Sequence, residues 1–184
     1  MVQPIRNREV LEQYKNELKK QSYRDYMFFK MGINTGLRSS DLRIRKVKDI
    51  RNEDGSMKNH IVLFEQKTGK RKIFKLNYEL QEELKRYVNG MDQDEYLFKS
   101  RNGENSPVSY VQIWRKLKQC AEKCGIEDLG THTMRKTFGY WHYKQYNDIA
   151  SLQIILNHSS PRETLIYIGI EQDEIDEQYT NFSL

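Results

Sequence analysis

The stretch GTHTMRKTFGYWHY (residues 130–143), followed after an ordinary interval by NHSSPRETLIYIG (residues 157–169), decides how the rest of this chain is read. His132 and Arg135 stand three residues apart, so on a helix both side chains project from one face. Ser159, Ser160 and Pro161 form a helix start, a capping hydroxyl followed by proline in the first turn. The helix they open carries Tyr167, nine residues beyond His158. A guanidinium, two imidazoles and a phenol brought to one place suit chemistry on a phosphate.

Outward from that stretch, the comparison becomes specific. HTMRKTF (residues 132–138) resembles the H-x-L-R-H-T-F box of the tyrosine recombinases, the phage integrase family, and LNHSSPRETLIY (residues 156–167) resembles that family's L-G-H-S-S-x-x-x-T-x-x-Y box. Upstream, TGLRSSDL (residues 35–42) is similar to the family's T-G-L-R-x-S-E-L. Lys136 and Asn157 depart from the pattern, standing where His and Gly are usual, and neither position carries the family's chemistry. The resemblance implies an α+β, mainly α-helical catalytic domain with a small antiparallel sheet. It also implies a site-specific DNA recombinase or integrase that works through a covalent 3′-phosphotyrosyl intermediate. Because that linkage conserves bond energy, neither ATP nor a metal is needed and no cofactor is expected.

The resemblance also assigns roles. Tyr167 would be the nucleophile, Arg38 and Arg135 would hold the non-bridging phosphate oxygens, His132 would accept or relay the tyrosyl proton, and His158 would donate a hydrogen bond to the phosphate. The leaving 5′ oxygen needs an acid, which in the family is a lysine of a β-hairpin. Here HIVLFEQ, the turn residues Thr68 and Gly69, and RKIFKL read as that hairpin, with a shorter strand near Val47 to Ile50 before it. Lys67 matches by its position relative to the turn, and Lys70 is the alternative. On a plainer reading, the five basic residues from Lys67 to Lys75 line a phosphate backbone. Asp41 is expected to support its neighbours.

Charge agrees with a nucleic-acid partner. The chain carries a net +5, but residues 151–184 hold Arg162 against Glu163, Glu171, Asp173, Glu174, Asp176 and Glu177, which leaves +10 on the remainder. A basic body with an acidic tail fits a surface for double-stranded DNA and a segment that avoids it. No apolar run approaches the roughly 20 residues of a membrane span and no signal peptide opens the sequence, so the protein is expected in the cytoplasm. Cys120 and Cys124 lack a second cysteine pair or a histidine at ligand spacing, and read as small apolar packers.

The remaining segments read as scaffold. Helices are expected from Arg8 to about Lys20 behind Asn7, from Ser22 to about Asn34 with Gly36 as the stop, from Asn77 to about Val88, from Ser109 to Lys123, after Thr131, and from about Asp148 to Leu156. Ser39 is expected to cap a short helix holding Asp41 and Leu42. Residues 1–184 are expected to form one catalytic domain with a tail from about residue 170, without the family's N-terminal DNA-clamping domain. Ile175, Tyr179 and Phe182 give the tail an apolar stripe at helical spacing. In the family such a segment docks on a neighbouring subunit, so a homo-oligomer, a tetramer on paired DNA sites, is expected. Two other classes share some of these features. A type IB topoisomerase-like enzyme would relax DNA as a monomer, and a non-catalytic relative would bind DNA without covalent trapping.

Overall fold

The computed structural model describes residues 2–170 and 179–183. Its elements run α1 (Arg8–Gln21), α2 (Tyr23–Thr35), α3 (Ser39–Arg43), α4 (Val47–Ile50), β1 (His60–Phe64), β2 (Arg71–Lys75), α5 (Tyr78–Tyr87), α6 (Tyr110–Lys123), α7 (Thr133–Tyr146), α8 (Ile149–Leu156) and α9 (Pro161–Ile168). Mainly helical with one small antiparallel sheet, it has the architecture expected. No helix among the described residues is long and apolar enough to cross a membrane.

Polar caps set most helix starts. The side chains of Asn7, Ser22, Asn77, Ser109, Asp148 and Ser160 each accept a hydrogen bond from a backbone N–H in the first turn that has no partner within the helix. Two local expectations change. Residues Val47–Ile50 form a helical turn, not a strand: Asp49 accepts the Lys46 N–H at 2.9 Å, and Val47 and Ile50, three apart, both turn inward. Arg38 rather than Ser39 occupies the cap position of α3. Ser39 lies inside the helix, with its hydroxyl 3.3 Å from that of Tyr110.

Among the described residues, two hydrophobic clusters divide the interior. The larger joins α1 through α6 and the hairpin, with Tyr14, Phe28, Phe29, Leu84, Phe98 and Leu117 fully enclosed, and reaches Met134 at the start of α7. The smaller is built from Tyr140, Leu152, Leu156, Ile168 and Ile170 of α7–α9 and the residues that follow. Helix α7 therefore belongs to both. The N-terminal segment straps this junction: Ile5 N–H donates to Thr137 Oγ1 at 2.9 Å, Trp141 Nε1 donates to the Ile5 carbonyl at 2.9 Å, and Arg6 donates to the carbonyl of Gly169. Cys120 lies in the larger core, where burial pushes its thiol up to about 12, and Cys124 is partly buried.

In the hairpin, Ile61 pairs with Phe74 and Leu63 with Lys72. Because alternate residues share a face, Ile61, Leu63, Lys72 and Phe74 turn toward the body, while Val62, Phe64 and Ile73 remain exposed.

Candidate active site

Gly36 starts the construction. It ends α2 in the left-handed conformation, φ +63°, and a Cβ there would come within 2.5 Å of the Phe138 ring, so both backbone and packing require glycine. The sharp reversal places Arg38 at the junction with α3, and the Gly36 carbonyl accepts from Arg135 Nη1 at 2.6 Å. The second terminal nitrogen of Arg135 donates to the Leu156 carbonyl. A buried guanidinium held by two backbone carbonyls, one from each side of the molecule, has its plane fixed before any ligand arrives.

His132 stands at the N-cap position of α7, where its side chain makes no cap hydrogen bond, and Arg135 follows in the first turn. His132 Nδ1 lies 3.2 Å from the Tyr167 hydroxyl, and Arg135 sits beside the same hydroxyl. The His158 ring meets the Tyr167 ring edge-on, with centroids 4.8 Å apart. Asn157 places His158 by taking the left-handed C-cap of α8, φ 52°, a conformation asparagine tolerates better than most residues. His158 Nδ1 lies 3.1 Å from Thr164 Oγ1, and that hydroxyl donates to the Ser160 carbonyl. Its single proton thus spent, Thr164 accepts from Nδ1–H.

The structure therefore brings Arg38, His132, Arg135, His158 and Tyr167 together. Lys67 lies on the exposed hairpin turn, near enough to act electrostatically on His132, and Lys70 is exposed beside it. Asp41 is fully buried and accepts the Gln66 N–H at 2.9 Å, which ties α3 to that turn.

Burial, reinforced by Arg135, holds His132 below the ordinary histidine value. His158 is lowered by burial and by Arg135, Arg38 and Lys72, against the opposing pull of Glu163. Burial also raises the Tyr167 hydroxyl above the ordinary phenol value, while Arg135 and Arg38 pull it down. At neutral pH the three groups are thus a neutral base, a second neutral imidazole and a protonated phenol.

Three residues outside the expected set also belong to this site. Glu65, just past β1, pairs with Arg38 Nη1 at 2.5 Å and with Lys72 Nζ at 3.7 Å. Lys136 sets its ammonium 5.2 Å from the Tyr167 ring centroid. The sequence signal for Lys72 is the hairpin alternation, which puts it on the face of Ile61 and Leu63. Lys136 is marked in the sequence only as a departure from the first box, and Glu65 has no comparable local signal. Among the described residues there is no cluster of three or more His, Cys, Asp or Glu able to hold a metal.

Comparison with known proteins agrees with this geometry. The model of the phage integrase family matches residues 5–174. The probable integrase/recombinase YoeC of Bacillus subtilis is 43% identical over 182 residues, covering 99% of this chain and 97% of that protein. Other curated relatives, named tyrosine recombinases, are matched over about half of their own length. Among solved structures, the XerA recombinase superposes with a TM-score of 0.76 at 23% identity, covering 98% of this chain and 63% of that one. The XerH site-specific recombinase bound to its palindromic difH substrate, a post-cleavage complex, gives 0.74 at 21%, covering 95% and 51%.

Proposed function

Because this chain belongs to the phage integrase family and is a tyrosine recombinase, we propose that it cleaves and rejoins double-stranded DNA through Tyr167. The observation that carries the reading is the Tyr167 hydroxyl, held 3.2 Å from a neutral His132 and beside Arg135. In-line attack by the phenolic oxygen on the scissile phosphorus forms a 3′-phosphotyrosyl bond and expels the 5′ oxygen. His132 Nδ1 takes the phenolic proton. Arg135, whose orientation is fixed by two carbonyls, and Arg38 supply donors for the charge on the non-bridging oxygens. Lys67 gives its proton to the 5′ oxygen, reaching in from the turn. Rejoining runs the same steps backward, so protons and bonds balance without an external energy source.

His158 enters differently. With Nδ1–H committed to Thr164, its neutral ring offers Nε2 only as an acceptor. To donate to a phosphate oxygen it takes up a second proton, which the arriving phosphate charge favours. DNA binding is thereby coupled to proton uptake at this residue.

The body outside residues 151–184 carries the positive excess that a DNA backbone needs. XerH in its complex is a recombinase bound to a palindromic site, and lambda integrase is a dimer on its core site; for this chain we propose a homo-oligomer on paired DNA sites, joined through the segment after Gly169. The tail expected from about residue 170 lies mostly outside the described residues, Ile175 of its stripe included. Of its stripe, Tyr179 and Phe182 are both exposed.

A nicked suicide substrate tests the reading, because cleavage next to the nick releases a short fragment and traps the adduct. Wild-type chain should become covalently attached to DNA. Tyr167→Phe, which removes one oxygen, should fold, bind DNA and give no adduct. A covalent adduct from Tyr167→Phe would assign the nucleophile elsewhere.

A further inference from the structure

Glu65 is a buried carboxylate inside a site built for an anion. Its side chain is 2% exposed, against 18% for Arg38 and 13% for Lys72, the two cations paired with it. Thr68 Oγ1 donates to its other oxygen at 2.7 Å, and Asn157 Nδ2 approaches the same oxygen at 3.5 Å. Burial opposes ionisation, but Thr68 and then Arg38, Lys72 and Arg135 outweigh it and hold the carboxyl below the usual range. Glu65 thus stays charged and gathers groups from the residue before α3, the hairpin and the loop before α9.

Lys72 completes this arrangement. It lies on the inward face of β2, opposite Leu63, and its ammonium donates to the Ile155 carbonyl at 2.5 Å. Ile155 precedes His158 by three residues, in the last turn of α8. One ammonium therefore joins the backbone just before His158 to the carboxylate that holds Arg38. Lys67, by contrast, is exposed at the tip of the same hairpin. The two lysines are placed for different work, one to reach a leaving group and one to hold the floor of the phosphate seat.

We propose that Lys72 is a positioning residue for strand cleavage, bridging the Ile155 carbonyl and Glu65 so that Arg38 and His158 stay in register across the phosphate seat. This rests on the reading of the site given above. Lys72 transfers no proton to DNA. It acts through Arg38 and His158, and its loss misplaces both by a fraction of an ångström to an ångström, which is enough to slow in-line attack by roughly 100-fold.

Three measurements test it on the full chain. The first compares suicide substrates whose leaving group is the normal 5′ oxygen or a bridging 5′ sulfur, which departs without a proton. Lys72→Met, which keeps the unbranched stem and removes the ammonium with its charge, should cleave both about equally slowly. Lys67→Ala should be slow on oxygen and restored on sulfur, and Lys72→Arg should recover part of the oxygen rate. Restoration of Lys72→Met by sulfur would make Lys72 the acid and overturn the proposal. The second combines Lys72→Met with Glu65→Gln. Because both changes break one bridge, the double variant should be little worse than the poorer single one; multiplying losses would separate the two residues and refute the bridge.

The third needs no catalysis. NMR titration of His158 should show its pKa raised in Lys72→Met, since a nearby positive charge is gone, and an unmoved His158 would refute the placement of that ammonium close to His158. A wild-type chain that forms no adduct on any paired site would defeat the reading of Tyr167, and the role of Lys72 in cleavage with it. The His158 titration would still decide whether the Lys72 ammonium is held close to His158.

Discussion

The body, α1 through α6 with the hairpin, and the three-helix unit α7–α9 are made differently. In the body, long apolar residues from every element meet in one continuous core, and several of the largest, Tyr14, Phe28, Phe29 and Phe98, are completely enclosed. The unit α7–α9 closes around a handful of side chains, Tyr140, Leu152, Leu156, Ile168 and Ile170, and leaves Ile154 and Ile166 largely in solvent. Arg38, Glu65 and Lys72 belong to the first region, and His158 and Tyr167 to the second. Since local opening tracks the apolar surface that holds a segment down, the phosphate clamp stands on the firmer part and the nucleophile on the softer one. Arg135 on the shared helix α7, bonded to carbonyls of both regions, fixes their relation.

The sharpest way to break this arrangement is at Gly139. A Cβ there would lie 2.7 Å from Ile168 Cγ2 and 3.3 Å from Leu156 Cδ1, so Gly139→Ala pushes α9 away from α7 beside the nucleophile. Overpacking of this kind costs about 1–3 kcal/mol. Released by movement of the softer unit, the strain should displace Tyr167 and lower the rate of adduct formation by roughly 100-fold. Salt-dependent DNA binding by the body should persist. A variant that cleaves at the wild-type rate would show that α9 does not need this close approach.

A pair of truncations sharpens the contrast. Leu84 and Leu152 are both fully buried, one in each core. Leu84→Ala should cost about 2–5 kcal/mol of global stability, because the enclosing core cannot collapse onto the cavity. Leu152→Ala should instead raise amide hydrogen exchange in α8 and α9 first, with protection in α2 and α5 retained. Uniform loss of protection in both variants would merge the two regions into a single cooperative unit.

These regions also differ in how much of them was legible in the sequence. Helix starts were readable because capping is local: Asn7, Ser22, Asn77, Ser109, Asp148 and Ser160 act within three residues of themselves. The short segment Val47–Ile50 misled because β-branched residues favour strands, whereas the choice lay with one side-chain acceptor, Asp49, closing a turn. Within the site, His132, Arg135, His158 and Tyr167 stand out because they fall in two short boxes. Lys136 lies in the first box but departs from its pattern, and Glu65 lies in neither box; what makes both part of the site is contact across the fold. Lys72 is an intermediate case. Its inward direction follows from the hairpin register, but in a run of five basic residues only pairing with Leu63 separates it from its neighbours.

The smallest expected effect is one of pH, and it sets stability against activity. Lys72 is held down to about 8 from 10.5, first by burial and then by Arg135 on α7 and Arg38 before α3, while Glu65 on the hairpin turn and Asp41 on α3 pull it up; His158 after α8 faces it as well. Between those two values the unfolded chain binds a proton that the folded chain has released, so the stability contribution of this group rises with pH through the window. If the bridge needs the ammonium, cleavage must move the other way. The kcat/KM profile, which reports the free enzyme, should descend as pH rises through about 8, by a few-fold up to pH 9. The kcat profile should descend later, because a bound phosphate stabilises the cation. Arginine keeps its charge throughout this range, so Lys72→Arg should lose the descent near 8 while keeping the acid limb set by protonation of His132. A descent that stays in place in Lys72→Arg would belong to another group, and the charge of the bridge would then not limit the reaction.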